Sequence, residues 1–351
     1  MNIDKASKIR EGEELDIEQL NQFLKDNVSN VGDIVEVAQF PGGFSNLTYL
    51  IKTETQEFVL RRPPFGATAK GGHDMGREFR VLMTLKNAGY TTIPTPLSME
   101  VTGEILGVPF YVMERLQGVI LRAKDAMNPA LTPEIMRRLS EKLIDNLAEL
   151  HNLDIEKTGL AQLGKPEGYV KRQVEGWINR YKNAQTDEVK NMDTLANWML
   201  SHLPNEQKPV FIHNDYKFDN VVWNPELTDI IGVLDWEMAT VGDPLMDFGS
   251  SLAYWCEATD SDFTKMFNLT WKKGCLTRSE VVERYAAKTG RDVSGILFYF
   301  IFGLYKNAVI IQQIYARWKK GLTQDTRFAG LIAGVYELSK MGQKAIEQQK
   351  V

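Results

Sequence analysis

Cysteine is nearly absent from this chain: Cys256 and Cys275 are the only two in 351 residues. So sparse a pair neither staples a secreted fold nor completes a tetrahedral zinc set, so both read as reduced thiols in a cytoplasmic protein. Any metal must then rest on oxygen ligands. A charge excess of one sign is also lacking, since 41 Lys and Arg stand against 46 Asp and Glu, a formal net charge of -5. Nothing here advertises nucleic acid or anionic lipid, and an anionic ligand has to be caught by a local site. No apolar run reaches the ~18 residues of a membrane helix. The longest, GILFYFIFGLY at 295–305, gives way to Lys306 and Asn307 and reads as a buried helix of a large core. The opening MNIDKASKIREGEELD is charged where a signal peptide needs an apolar centre. Neither an internal repeat nor a low-complexity tract occurs. What the chain does have is 43% hydrophobic residues, enough for a substantial core and, at this length, for two lobes rather than one.

The pattern of elements divides accordingly. IEQLNQFLKDNV predicts a helix, DIVEVAQF a strand, and PGGFSNLTYLIKTETQEFVLRRPP a glycine-bearing turn between strands followed by a hairpin at ETQE. GHDMGREFRVLMTLKNAG sets Met75, Phe79, Leu82 and Leu85 at helical spacing and stops at Gly89, and PTPLSMEVTGEILGVPFYVMERL reads as two further strands. The expected fold is α+β: a five-stranded antiparallel sheet with one internal helix over residues 1–114, then a mostly helical lobe over 115–351, divided at MERLQG. In the second lobe PVFIHNDY, NVVWN and IIGVLDW fit short strands, and long helices are expected near 245–255, 279–289 and 296–347.

Three separated pieces carry chemistry. His213-x-Asp215-x-x-x-x-Asn220 projects two polar groups from one loop, one suited to accept a proton and one to give oxygen to a hard cation. Asp235 ends the apolar strand IIGVL, where a carboxylate can complete a magnesium site. In GGFSN, the glycines let the backbone around Gly43, Phe44, Ser45 and Asn46 point N–H groups at phosphate oxygens, although Ser and Asn are also ordinary turn formers. Together they suit phosphoryl transfer, which asks a protein mainly for positioning and charge neutralisation.

The set resembles the aminoglycoside phosphotransferase and choline kinase group of small-molecule kinases, which share the bilobal protein-kinase-like fold. HNDYKFDN is similar to their catalytic loop, LDWEMATVGDPLMD to their metal-binding segment, and EFVLRRPP to the strand bearing a phosphate-gripping cation. FVLRRPP, FYVMERLQG, YVKRQVEGW and DWEMATVGDPLMDFG resemble more narrowly the branch fused to, or encoded near, acyl-CoA dehydrogenases. The resemblance implies ATP and Mg2+ as cofactors, with Asp215 taking or orienting the proton of the acceptor hydroxyl and Lys217 near the transferred phosphate. It implies Asn220 and Asp235 as magnesium ligands, and Arg61, paired with Glu78, as the phosphate cation. Arg61 stands where the family often has lysine, and Arg62 beside it is a rival; a planar guanidinium grips phosphate differently from an ammonium. Asn214 replaces a glycine common in the family.

Around this core, Met113, Glu114, Arg115 and Leu116 are the expected hinge, offering main-chain partners to adenine. His213 is expected to brace the loop, with Asp243 and Asp247 anchoring it; Glu237 and Asp243 are left out of the metal set. Lys171, Arg172 and Arg180 are placed to attract an anionic acceptor. Lys306 and Arg317 either reach an acidic substrate or sit on solvated helix faces, and Tyr315 and Trp318 are packing. The acceptor is a small-molecule hydroxyl, and the branch resemblance favours a hydroxy acid or hydroxyacyl-CoA, with functional association to an acyl-CoA dehydrogenase. The alternatives are an aminoglycoside or amino-alcohol kinase and a nucleotide-binding pseudokinase regulating acyl-CoA metabolism. A protein kinase is disfavoured because GDPLMDFG runs straight toward an apolar helix, with no APE-like anchor.

Overall fold

A computed structural model describes residues 3–41, 46–64, 73–323 and 325–351. Gly43, Phe44 and Ser45, expected to meet phosphate, lie outside these described residues.

Helix α1 (Ile17–Asn27) precedes strands β1 (Ile34–Gln39), β2 (Leu47–Thr53) and β3 (Glu57–Arg62), helix α2 (Met75–Asn87), and strands β4 (Pro96–Glu100) and β5 (Phe110–Glu114). The five strands form one antiparallel sheet in the order β1-β2-β3-β5-β4, so β3 is central. Strand alternation sorts its side chains. Phe58 and Leu60 pack with Tyr49, Val112 and α1 residues Leu20, Phe23 and Leu24 on one face. Val59, with Tyr111 and Met113 of β5, faces the other way, toward Met75, Val81, Leu82 and Leu85 of α2. Asp74 caps α2 by accepting from Arg77 N–H. The Arg77 guanidinium crosses to the helical lobe and donates to the carbonyls of Leu163 and Ala239.

The second lobe begins with α3 (Pro133–His151), α4 (Ile155–Thr158), α5 (Tyr169–Ala184) and α6 (Lys190–Ser201). Strand β6 (Val210–Ile212) pairs with β9 (Thr240–Gly242), and β7 (Val221–Trp223) forms a hairpin with β8 (Ile230–Val233). Then follow α7 (Pro244–Tyr254), α8 (Asp262–Lys265), α9 (Arg278–Thr289), α10 (Ile296–Lys319) and α11 (Ile332–Gln348). The helical run expected over 296–347 is thus two helices. Gly321, at φ 71°, ends α10, with its own N–H on Trp318 O and the Leu322 N–H returning to Arg317 O, a Schellman stop.

α10 is the spine of this lobe. By length and composition alone its 24 residues would cross a membrane, yet 78% of its most apolar window is buried inside the molecule. α7 lies directly against it because two glycines remove the intervening side chains. A Cβ on Gly303 would come within 2.5 Å of Gly249 O, and one on Gly249 would collide with the carbonyl of Tyr299.

Candidate active site

The β7–β8 hairpin brings two distant residues together. Its register pairs Val221 with Val233, and Leu234 N–H donates to Asn220 O at 2.8 Å, so Asn220 and Asp235 emerge side by side. Asp235 sits at φ 67° and ψ 59°, a left-handed conformation that a non-glycine residue adopts only when its surroundings impose it. Its carboxylate is 3.1 Å from the Arg61 guanidinium.

On the sheet side, Arg61 lies 3.4 Å from Glu78, and both are buried, Glu78 at 2% exposure. Burial opposes the Arg61 charge, but Glu78, then Tyr111, Asp235 and Glu237, hold its pKa well above the ordinary arginine value. Its Nε is buried without a partner among the described residues. Arg62 takes the opposite face of β3: it is 2% exposed, donates to Pro63 O and feels the charges of Tyr49 and Glu13. Of the two arginines, Arg61 is the one that lines the cleft.

Between β6 and β7, the catalytic-loop candidates converge on one carboxylate. Asp215 Oδ2 accepts from Lys217 Nζ and from Asn220 Nδ2, each at 2.9 Å, and Oδ1 accepts from the Tyr254 hydroxyl at 3.1 Å. Burial alone would raise its pKa, but Lys217 and then Lys306 hold it below the usual carboxylate range. Lys217, resting over the Tyr254 ring, is disfavoured by burial yet pushed above the ordinary lysine value by Tyr254, Asp215 and Asp219.

The loop is braced from behind. His213 accepts the Asp215 N–H on Nδ1, which leaves the proton on Nε2, and that nitrogen donates to Leu234 O at 2.9 Å. Asp247, fully buried on α7, accepts the amides of His213 and Asn214 at 2.7 and 2.8 Å and meets His151 at 3.1 Å. Asp243 does not touch the loop. It caps α7 through Leu245 N–H and takes the Gln207 amide and the Tyr299 hydroxyl, because it stands one turn earlier, at the helix N-terminus. Asn214 is at φ 67°, which explains a residue that stands where the resembled family prefers glycine: asparagine is among the few side chains that tolerate this region. It also does what glycine does not, donating from Nδ2 to Met238 O at 3.0 Å and to the Tyr169 hydroxyl.

The reactive groups open onto one cleft of about 920 Å³, while Arg62 and the bracing residues His213, Asn214, Asp243 and Asp247 stay out of it. Arg61, Glu78, Asn46, Asp215, Lys217, Asn220 and Asp235 line it, as do Met113, Glu114, Arg115 and Leu116, the residues expected to form the hinge. Asn46 is held by its side chain, which donates to Glu237 at 2.8 Å and meets His73 at 3.0 Å. Glu237, left out on sequence, faces the same cleft, because residues 236–238 form a 3-10 turn and not a continuing strand.

Beyond Asp215 the cleft continues between α5 and α10, past Trp177, Ile310, Gln313, Ile314 and Arg317. None of the cations expected there from α5 lines the cleft, though Arg180 lies against Trp177, which does. Lys171 and Arg172 lie opposite that helix's buried stripe, near Glu175 and on Lys165 O respectively, and Arg180 stacks on Trp177 at 4.6 Å. Lys306 is on no solvated face; it is 2% exposed.

For a magnesium ion the donor set fits. No group of three or more His, Cys, Asp or Glu among the described residues is arranged to hold a metal alone. Magnesium, however, favours one or two protein oxygens completed by phosphate and water. Asn220 spends its Nδ2 inside the loop, which leaves its amide oxygen for that use, and Asp235, lining the same cleft, offers a second hard oxygen.

Comparison with known proteins agrees with this geometry. Residues 36–281 match the model of the phosphotransferase enzyme family. Acyl-CoA dehydrogenase family member 10 of Mus musculus is 34% identical over 293 residues, covering 81% of this chain; the chain spans only 26% of that relative's length. Among solved structures, a Ralstonia eutropha JMP134 protein described as an aminoglycoside phosphotransferase superposes with a TM-score of 0.82 at 27% identity, over 95% of this chain and 99% of the other. Choline kinase of Cryptosporidium parvum shares the fold, with a TM-score of 0.64 at 13% identity over 95% and 97% of the two chains. A sheet lobe on a helical lobe, with acid, amide and cation gathered in the cleft between, is thus the small-molecule kinase architecture, and the chain belongs to the phosphotransferase enzyme family.

Proposed function

We propose that the protein is an ATP- and magnesium-dependent kinase that moves the γ-phosphoryl group to the hydroxyl of a small hydroxy acid, free or as its CoA thioester. The observation that carries this reading is the single cleft shared by Arg61, Asp215, Lys217, Asn220 and Asp235. The lobes divide between Glu114 and Arg115, and the hinge residues from Met113 to Leu116 line the end of the cleft suited to adenine. Arg61, held rigid by Glu78, grips phosphate oxygens. Asn220 and Asp235 would hold magnesium through hard oxygens, and that ion, when bound, neutralises phosphate charge. Asp215, kept ionised by Lys217 and Lys306, orients the acceptor hydroxyl and takes its proton. Lys217 sits where it meets the transferred group.

The acceptor class rests on the far wall. Trp177, Ile310, Ile314 and Met238 make it apolar, Arg317 adds a cation, and none of the described residues that α5 and α10 contribute is acidic. Arg317 has no ion-pair partner among the described residues. A polycationic aminoglycoside wants the reverse, while an acyl chain with a carboxylate or thioester-borne phosphates matches it. The acyl-CoA dehydrogenase naming of the relatives supports the same class and supports a functional partnership with such an enzyme.

The test is to incubate the protein with Mg·ATP and a library of hydroxy acids, hydroxyacyl-CoAs, amino alcohols and aminoglycosides, and to search by mass for a phosphate adduct. With the acceptor found, Asp215→Asn keeps ATP binding and loses at least ~100-fold in turnover. Unchanged turnover removes Asp215 from the reaction, and a phosphorylated aminoglycoside with no hydroxy-acid product overturns the acceptor class.

A further inference from the structure

A charged side chain that does not line the cleft lies in the middle of the most apolar helix. Lys306 is 2% exposed on α10, between Tyr305 and Asn307, and its ammonium forms no ion pair among the described residues. Burial disfavours the ammonium, and no carboxylate among the described residues is close enough to form a direct pair with it. Its one hydrogen bond goes to the backbone carbonyl of Asn214, the peptide that leads into Asp215. The charged groups that face it are Asp215 and Lys217 on the loop, Asp247 on α7 and Arg180 on α5, with the Trp177 ring centroid at 5.9 Å. Lys306 does not line the cleft, so it acts through the loop and not on a substrate.

The opposite edge of the same turn is held by the buried Asp247, which takes the N–H groups of His213 and Asn214. The turn is therefore gripped at its amides by an anion and at its carbonyl by a cation. That arrangement aligns both buried charges with the peptide dipole and holds Asn214 in its left-handed conformation. We propose that Lys306 is a positioning residue: with Asp247 it clamps the turn at residues 213–214 from both edges and thereby sets the direction in which Asp215 is presented to the acceptor. The role assigned to Asp215 is the part of this inference that rests on the proposed phosphotransfer; the clamp rests on geometry alone.

The variant to make is Lys306→Met, whose side chain suits the apolar surroundings of α10, so folding is retained while the Asn214 carbonyl loses its donor. Amide hydrogen exchange of the peptide spanning 211–220 should be faster than in the unaltered protein. In turnover, kcat should fall about 10- to 100-fold, as for a displaced catalytic group, with KM for ATP within about twofold. In Lys306→Ala, added n-propylammonium should recover part of both losses. Equal exchange and equal kcat in Lys306→Met overturn the proposal; so does a lowered melting temperature with a matching loss of nucleotide binding, which marks a merely structural lysine. Should Asp215→Asn keep full turnover, the catalytic reading fails, while the exchange contrast at residues 213–214 still decides the clamp.

Discussion

Replacing the two neighbouring arginines of β3 separates the two faces of one strand. Arg61→Met removes a guanidinium 3.4 Å from Glu78 and 3.1 Å from Asp235. Glu78 is 2% exposed, so its carboxylate is stranded away from water, and breaking a buried pair in this way costs about 3–5 kcal/mol. Against a folding free energy of about 5–15 kcal/mol, that is a large fraction. Arg61→Met with Glu78→Gln removes both charges and should recover most of the stability. It should recover none of the nucleotide affinity, because the lost charge-assisted bonds to phosphate are worth about 1.5–3 kcal/mol, or roughly a 10- to 100-fold weaker Kd. Arg62→Met changes stability alone, since its side chain lies on the α1 side of the sheet, near Tyr49 and Glu13. Urea denaturation and calorimetric titration with Mg·ATP read the two quantities separately. Wild-type affinity in the Arg61/Glu78 double variant, or an equal loss of affinity in Arg62→Met, would refute the argument from strand alternation.

Three further outcomes follow from the same geometry. Asp235→Ala should abolish the difference between ATP affinity with magnesium and with a chelator; a persisting difference places the metal elsewhere. Asp247 is raised by burial but brought below the usual carboxylate range, first by its hydrogen bond to His151, with the backbone amide of His213 adding to the effect. A depressed carboxylate contributes its full stability above the unfolded value of about 3.9 and loses it as the pH falls through the folded value. Urea stability should therefore hold near pH 5 and drop below about pH 4, while Asp247→Asn loses about 3 kcal/mol at neutral pH and flattens that drop, which denaturation against pH checks. Arg317→Ala should raise KM for an anionic hydroxy acid about tenfold, leave kcat unchanged and spare a neutral alcohol of equal length; equal effects on both would remove Arg317 from acceptor binding.

The N-terminal sheet was legible because period-two alternation in β2 and β3 and a helix-spaced stripe in α2 are local signals, each bounded by turn residues. The two strands that carry Asn220 and Asp235 were legible as short apolar runs separated by NPELTD, whereas their pairing is set by the hairpin register and the grouping of the two residues came from the family resemblance. Glu237 was missed because strand spacing was carried past Asp235, where the chain turns into a 3-10 segment instead. β9 was missed because three residues carry no period. Lys306 was read as either reaching an acidic substrate or sitting on a solvated face; nothing local announces burial imposed by α5 and α7, which are distant along the chain. The α5 cations were read as charge near a pocket, yet their direction depends on which stripe of the helix faces the core, and here Tyr169, Val170, Val174 and Trp177 take that stripe.

The contact between Gly249 and Gly303 has a mechanical meaning. With backbone touching backbone, α7 and α10 have no side-chain layer through which to slide, and even a methyl at either position forces an overlap costing about 1–3 kcal/mol. α7 carries Asp247 and Tyr254, and α10 carries Lys306, Ile310, Ile314 and Arg317. The floor beneath Asp215 and one bank of the cleft beyond it are therefore built as a single block. Widening the mouth to admit a bulky molecule falls to the opposite bank, α5 with Trp177, or to tilting of the β-sheet lobe.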